Sequence, residues 1–486
     1  MGIEPGTVVL SIIGPELVLV IAALGLMVTD AFIKNKSEQR PLLWIGLAGI
    51  LGSLAVAWSL WGRGPAYGFS GMVVVDNFST FFTVLFLTAG GLTLLLSDSY
   101  VRKLGLAPGE YYALTLFATS GMVLMARSTD LIMLFLGLEV LSVSLYVLAG
   151  YLRTSDRSAE GALKYFLLGA FSTGFLLYGI ALLYGVSGST RLADIGAMAT
   201  QENLLQQPML LAGMGLLLTG FGFKIAMVPF HMWAPDVYEG APSPITAYMS
   251  VGVKAAAFAA LLRVFSGSLA GLDVHWRELL WIGSVLTMTL GNLAALLQNN
   301  IKRMLAYSSI AHAGYILIGV VAGGEIGTAA VLYYLLVYTL MNIGAFAVVI
   351  AIEKKDEQQL DLGDYAGLGA KYPALGVAMA IFMFSLAGIP PLSGFMGKFY
   401  IFSAAVKQGY LALTIIGVLN SLVSVYYYLR VTIMMFMKEP EGEPAAVIFQ
   451  PALIIVLIVA VFFTIQMGLF PATYLQIAKN SIRFFL

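Results

Sequence analysis

The chain has 486 residues, 59% of them hydrophobic and 11% charged, with a mean hydropathy of +0.89. A soluble domain of this length needs more surface charge than that, and 26 Lys and Arg balance 26 Asp and Glu, so no nucleic-acid or acidic partner is implied. The absence of cysteine removes disulfides, thiolate chemistry and iron–sulfur ligation, and three scattered histidines (His231, His275, His312) do not suggest a haem or zinc site.

Apolar runs recur from end to end, and each is long enough to cross a hydrocarbon core of about 30 Å. The first, 9–33, has no basic segment before it and is too long for a signal-peptide core, so we read it as a retained span. Runs at 42–61, 75–96, 111–127 and 130–152 follow, the last two nearly touching across Arg127-Ser-Thr-Asp130. The rest lie at 159–184, 209–231, 242–266, 279–298, 303–323, 327–352, 374–405, 411–436 and 447–473. These fourteen segments and their short connections predict one all-α polytopic membrane domain, 1–486. A transmembrane barrel is excluded, because its strands alternate and span only about 10 residues. Loops after odd-numbered spans hold thirteen of the basic residues, Lys354 and Lys355 among them, against seven on the other side. That bias puts both termini outside, in the periplasm of a bacterium.

Six basic residues fall inside the runs: Lys164, Lys224, Lys254, Arg263, Lys398 and Arg430, with one mid-run acid, Glu139. Arg263 and Arg430 lie near run ends, where a long stem can snorkel to the interface. Lys164 lies five or six residues into its run and is ambiguous. Glu139, Lys224, Lys254 and Lys398 have apolar sequence on both sides, as in LFLGLEVLSVSL and YMSVGVKAAAFAALL. Each such residue costs about 2.5–3.5 kcal/mol at a helix centre, so the four cost on the order of 10 kcal/mol unless paired or hydrated. A static ion pair suits one Glu–Lys couple and leaves two lysines without an acid. A chain of protonatable groups joined by water uses all four.

Two segments break at prolines. In FKIAMVPFHMW, Pro229 cannot donate to the carbonyl of Ile225, one residue past Lys224. In SLAGIPPLSGFMGKFYIF, Pro390 and Pro391 free the carbonyls of Leu386 and Ala387 ahead of Lys398. Such gaps at membrane depth line water or are buried in protein, and a pair of them five spans apart points to an internal repeat with an ion path at the breaks. A proline-kinked helix without transport function is the competing reading. His312, in SSIAHAGYILIG, is either a satisfied core histidine or a relay between the Lys254 and Lys398 helices. The sequence holds no energy source of its own: no Walker loop, no redox ligand, and no dinucleotide fingerprint after a strand.

FKIAMVPFHMWAPDVYEGAPSPITAYMSVGVKAA, QNNIKRMLAYSSIAHAGY and LAGIPPLSGFMGKFYIF closely resemble the antiporter-like subunits of proton-pumping NADH:quinone oxidoreductase, respiratory complex I, over about residues 110–436. The resemblance implies N-terminal helices in 1–110, two inverted five-helix repeats at 111–266 and 279–436, and a C-terminal helix in 447–486. It implies that Glu139 and Lys224 form the charge pair of the first half-channel. Lys254 is then the connecting lysine and Lys398 the terminal lysine of the second half-channel. Lys164 matches a further lysine, and His312 matches no assigned position. The chain itself would carry no cofactor or metal. NADH, FMN, iron–sulfur clusters and quinone would belong to partner subunits, among them neighbouring antiporter-like subunits in a bacterial inner membrane. Of the three types, L carries a long lateral helix after its last spans, whereas this sequence stops at Leu486, and M has glutamate where Lys398 stands, so the resemblance favours N. An Mrp-type sodium/proton antiporter subunit is the alternative, and an inert assembly scaffold a third reading.

The energies implied are commensurate. A close Glu–Lys pair is worth about 4 kcal/mol at an effective dielectric of about 20. Moving one charge against about 200 mV costs about 4.6 kcal/mol. One pair rearrangement per proton is of the right size.

Overall fold

Helix starts and stops follow the chain's own capping chemistry. The computed structural model describes residues 11–33, 40–199, 207–353, 360–440, 447 and 449–483. The basic loop at Lys354–Lys355, the loop residues Lys34 and Lys36, the side chain of Arg40 and both chain ends lie outside the described residues. Helices α1 (Gly14–Phe32) and α2 (Arg40–Leu60) lead into a hairpin, β1 (Ala66–Gly68) and β2 (Val73–Val75), paired antiparallel with Tyr67 opposite Val74. The third apolar run therefore starts as a strand, the chain turning back between β1 and β2 through Phe69, Ser70 and Gly71 at φ 52°, 55° and 85°. Asp76 then caps α3 (Asn77–Leu104) in a capping box with Ser79, at 2.7 and 3.0 Å.

The next helices are α4 (Pro108–Arg127), α5 (Leu131–Ala149), α6 (Asp156–Ser187), the short α7 (Leu192–Ala199) and α8 (Pro208–Ile225). They are followed by α9 (Trp233–Gly240), α10 (Ser243–Ser268), α11 (Asp273–Leu296), α12 (Ile301–Ala322) and α13 (Gly324–Ile352). The chain continues through α14 (Pro373–Ala387), α15 (Ser393–Lys407), α16 (Leu411–Met437), α17 (Pro451–Leu469) and α18 (Pro471–Ile482). Among the described residues, 12 helices are long and apolar enough to cross a membrane. Helix α4 and the broken pair α14–α15 supply the other two expected segments. Helix α4 is less apolar because it buries Tyr111, Tyr112, Thr115 and Thr119 between its neighbours.

Helices α10, α12 and α13 are almost wholly enclosed, whereas α1, α6, α16 and α17 bury only about a third of their length. The centre therefore holds the helices that carry Lys254 and His312, and the outer helices face lipid or partners. Arg263 departs from expectation. It does not snorkel but forks onto the Asp76 carboxylate at 3.1 Å and donates to Ala126 O at 3.0 Å, both groups buried. The capped start of α3 gives it a nearby anion, which a long stem reaches more cheaply than water. Arg430 does reach a helix end, donating to Asn299 Oδ1 at 2.7 Å.

Candidate functional site

Both expected breaks are present, and each ends its first half-helix with a residue in the left-handed region. At the first, Ala226 has φ 57°, and Met227 N–H returns to Gly222 O at 2.8 Å. At the second, Gly388 has φ 89°, and Ile389 N–H returns to Phe384 O at 2.9 Å. These are paired helix-end closures of the same kind. Pro229 and Pro391 each have no N–H for the carbonyl four residues back, that of Ile225 and of Ala387.

Lys224 lies in the last turn of α8, 2% exposed, and donates to Ser142 Oγ of α5 at 2.7 Å. The rings of Tyr146, Tyr165 and Phe223 stand 5.6, 5.7 and 5.8 Å from its ammonium. Glu139 is one turn before Ser142 on α5, so the two share a face. Among the described residues, no carboxylate oxygen reaches Lys224 within the 4.0 Å of an ion pair, and Glu139 Oε1 is buried without a hydrogen-bond partner. Ser142, not Glu139, is the direct partner of the ammonium. Glu139 borders an exposed stripe of α5 made by Leu136, Val140, Val143 and Val147.

Lys254 lies deep in α10, immediately after the π-turn Met249–Val253. Its ammonium donates to both the carbonyl and the hydroxyl of Ser309 on α12, each at 2.5 Å. On the same helix, His312 has both ring nitrogens partnered by phenols: Nδ1 with Tyr334 at 2.7 Å and Nε2 with Tyr428 at 3.0 Å. Tyr428 also bonds Ser308, the neighbour of Ser309. Hydroxyls donate or accept, so this set accommodates either imidazole tautomer. Lys398, 4% exposed, reaches back across its own break to Ala387 O at 2.9 Å and also donates to Ser421 Oγ of α16 at 2.8 Å. The Tyr315 ring lies 4.8 Å below it, and His312 meets Tyr315 edge to face.

Lys164 is not joined to Lys224. It is half-buried and pairs with Glu160 and Asp236, both at 2.6 Å. Among the described residues, no cluster of His, Asp or Glu is arranged to hold a metal ion. Sequence reasoning did not single out Ser142, Ser309, Ser421, Tyr334, Tyr428 or Asp236. A signal existed for two of them: Ser142 stands three residues after Glu139, and Ser309 stands three before His312.

Two sets of backbone bonds relate the halves of the molecule. Leu131 N–H bonds Thr190 O and Leu192 N–H bonds Thr129 O; Ile301 N–H bonds Leu360 O and Leu362 N–H bonds Asn299 O. Every position in the second set lies the same distance along the chain from its counterpart. That register aligns Asp130 with Asn300, the caps of α5 and α12, and it aligns Glu139 with Ser309, Ser142 with His312 and Lys164 with Tyr334. Aligning Ala226 with Gly388 at the breaks sets Asp236 against Lys398.

Residues 128–424 match the family described as NADH:quinone oxidoreductase/Mrp antiporter, TM. A curated relative named NADH-quinone oxidoreductase subunit N, from Trichlorobacter lovleyi, is 52% identical over 98% of this chain and 98% of its own. The chain belongs to the NADH-quinone oxidoreductase subunit N family. A chain of respiratory complex I from Thermus thermophilus is similar to this member of the subunit N family at 36% identity and a TM-score of 0.81, covering 95% of this chain and 98% of that one. A chain of the Mrp complex from Dietzia sp. DQ12-45-1b shares the fold, at 23% identity and a TM-score of 0.82 over 96% of each chain. The subunit N fold thus has the all-α architecture expected, with two inverted five-helix repeats and a break in each.

Proposed function

We propose that this chain is a proton-translocating membrane subunit of NADH:quinone oxidoreductase, assembled with other membrane subunits and driven by redox chemistry held in them. The observation that carries the reading is the series of protonatable groups on adjoining helices, the half-buried Glu139 followed by the enclosed Lys224, Lys254, His312 and Lys398, each of these lysines donating to a serine. Hydroxyls and an imidazole lead from Ser309 towards Lys398, and water completes the path where side chains do not touch. Lys164 contributes at the rim through Asp236. The repeat units are taken as 111–266 and 279–436, and NADH, FMN, iron–sulfur clusters and quinone are assigned to the partners. Relatives bearing the subunit N name favour this reading over a sodium/proton antiporter, whose likeness here is one of fold.

The deciding test is Lys254→Ala, with pumping and quinone reduction measured in membranes that hold equal amounts of assembled complex. Both should fall. Normal pumping at normal assembly would remove Lys254 from the path, and failed assembly with normal pumping per complex would favour a scaffold. The proposed bacterial membrane orientation, with both termini on the periplasmic side, has its own test in a chain without background thiols. A cysteine introduced near residue 356 should resist labelling from outside intact cells, and labelling there would reverse the topology.

A further inference from the structure

Helix α9, the second half of the first broken helix, is gripped along its length by contacts of which only the Lys164–Asp236 pair belongs to the proton path above. At its start, Trp233 stacks on Tyr165 and Phe223 with ring centroids 4.8 and 5.2 Å away, and its indole N–H donates to Phe223 O at 3.0 Å. Phe223 is the residue before Lys224, and Tyr165 is one of the rings around the Lys224 ammonium. From its first turn to its far end, α9 is held by the first turn of α12. One Arg303 nitrogen donates to Asp236 Oδ1 at 2.9 Å and to Glu239 Oε2 at 2.7 Å. Lys302, fully enclosed, donates at 2.7 Å to Ala241 O, just past the end of α9. Helix α6, from the same repeat as α9, completes the cluster through Lys164 on Asp236 and Arg157 on Glu239 at 3.5 Å.

Three bonds therefore tie one short helix to the first turn of α12, and further along α12 lie Ser309, the acceptor of Lys254, and His312. Helix α9 is short, stiffened by its own bonds, and buried on most of its residues. A shift at the Lys224 turn moves Phe223 and hence Trp233. The far end cannot follow without pulling on Arg303 and Lys302. We infer that α9 is a strut through which the Lys224 site of the first repeat and the α12 relay of the second act on each other, with Arg303 as its positioning residue. The register of the two breaks fits this role. Lys398 occupies the corresponding place in the second repeat and folds back onto its own break, whereas Asp236 reaches outward to both neighbouring helices.

The inference rests on Lys224 being a proton carrier, which Lys224→Ala tests separately through loss of pumping at equal assembly. The strut is tested by a cycle between Arg303→Gln and Ser142→Ala, two residues that do not touch. Pumping is read in vesicles with matched amounts of assembled complex. Arg303→Gln should lower pumping roughly threefold to tenfold, and Arg303→Lys should recover most of it by keeping the charge. In the Ser142→Ala background the further loss should be clearly smaller, since both changes act on one element. Losses that simply multiply, or an Arg303→Gln complex that pumps normally, overturn the strut. If Arg303→Gln does not assemble, Glu239→Gln removes one of its two anchors and is carried through the same cycle, with the same outcomes deciding.

Discussion

The two broken helices share a backbone plan and differ in where the lysine stands. At the first, the charge precedes the break and turns away from it, to a serine on another helix with a carboxylate close by on the same face. At the second, the charge follows the break and turns back over it, taking the carbonyl that Pro391 cannot serve. A cation there faces the negative end of a half-helix, so Lys398 is held by neutral acceptors and a helix terminus, with no acid paired to it among the described residues. Lys224 has a serine and an aromatic cage, and its counter-charge sits on a helix that lines the outside of the molecule. The first site is thus open to control from α5, and the second is set by its own helix and α16.

The largest expected effect lies at the second break. Lys398→Arg keeps the charge but holds its proton at a pKa above about 12 and presents a planar fork. Pumping should fall roughly 100-fold, the low end for a positioned proton carrier. A fully active arginine variant, beside an inactive Lys398→Glu, would make the residue a static cap. At the first break, Lys224→Ala and Glu139→Ala should each lower pumping about tenfold, with the double variant losing less than the product. Independent losses would dissolve the functional pair and erase the contrast between the sites. A smaller effect compares the serines. Ser142→Ala removes the direct acceptor of Lys224 and should cost about fivefold, on the order of 1 kcal/mol. Ser421→Ala should cost less than about twofold, because Ala387 O still accepts from Lys398. Equal losses would mean that the two ammonium groups are held alike. The smallest effect concerns backbone. Ala226→Gly should raise the melting temperature of the assembled subunit by relieving up to about 1 kcal/mol of left-handed strain. Gly388→Ala should lower it, because the new Cβ would stand 3.0 Å from Lys398 Cδ. The opposite ordering of the two melts would remove the shared backbone plan.

The breaks, the enclosed lysines and the repeat were legible because each violates what lipid tolerates, and a violation stands out in an apolar sequence. Lys254 and Lys398 needed only their flanks to be noticed. Their partners were not legible. Ser421 and Tyr428 are ordinary residues for a packed helix, and only tertiary placement turns their hydroxyls towards Lys398 and His312. Arg263 was misread because its partner Asp76 is far away in sequence, at a helix cap beside a hairpin whose short strands give little periodic signal. Asp236 drew no notice because it falls between two apolar runs, on a helix of 8 residues that is too short to stand out in the sequence.

The exposed stripe on α5 has a bearing on any measurement made outside the native assembly. Glu139 stands beside Leu136 and Val140, which are 48% and 41% exposed, so the medium touching that face forms part of the carboxylate's electrical surroundings. The same separation of charges is worth several times more under hydrocarbon or protein than under water, by the ratio of the dielectric constants. A subunit stripped into detergent and one wedged against a neighbour would then share coordinates but not a charge landscape. A neighbour covering α5 would act as an insulator, and its presence or absence would set how strongly Glu139 is felt at Lys224.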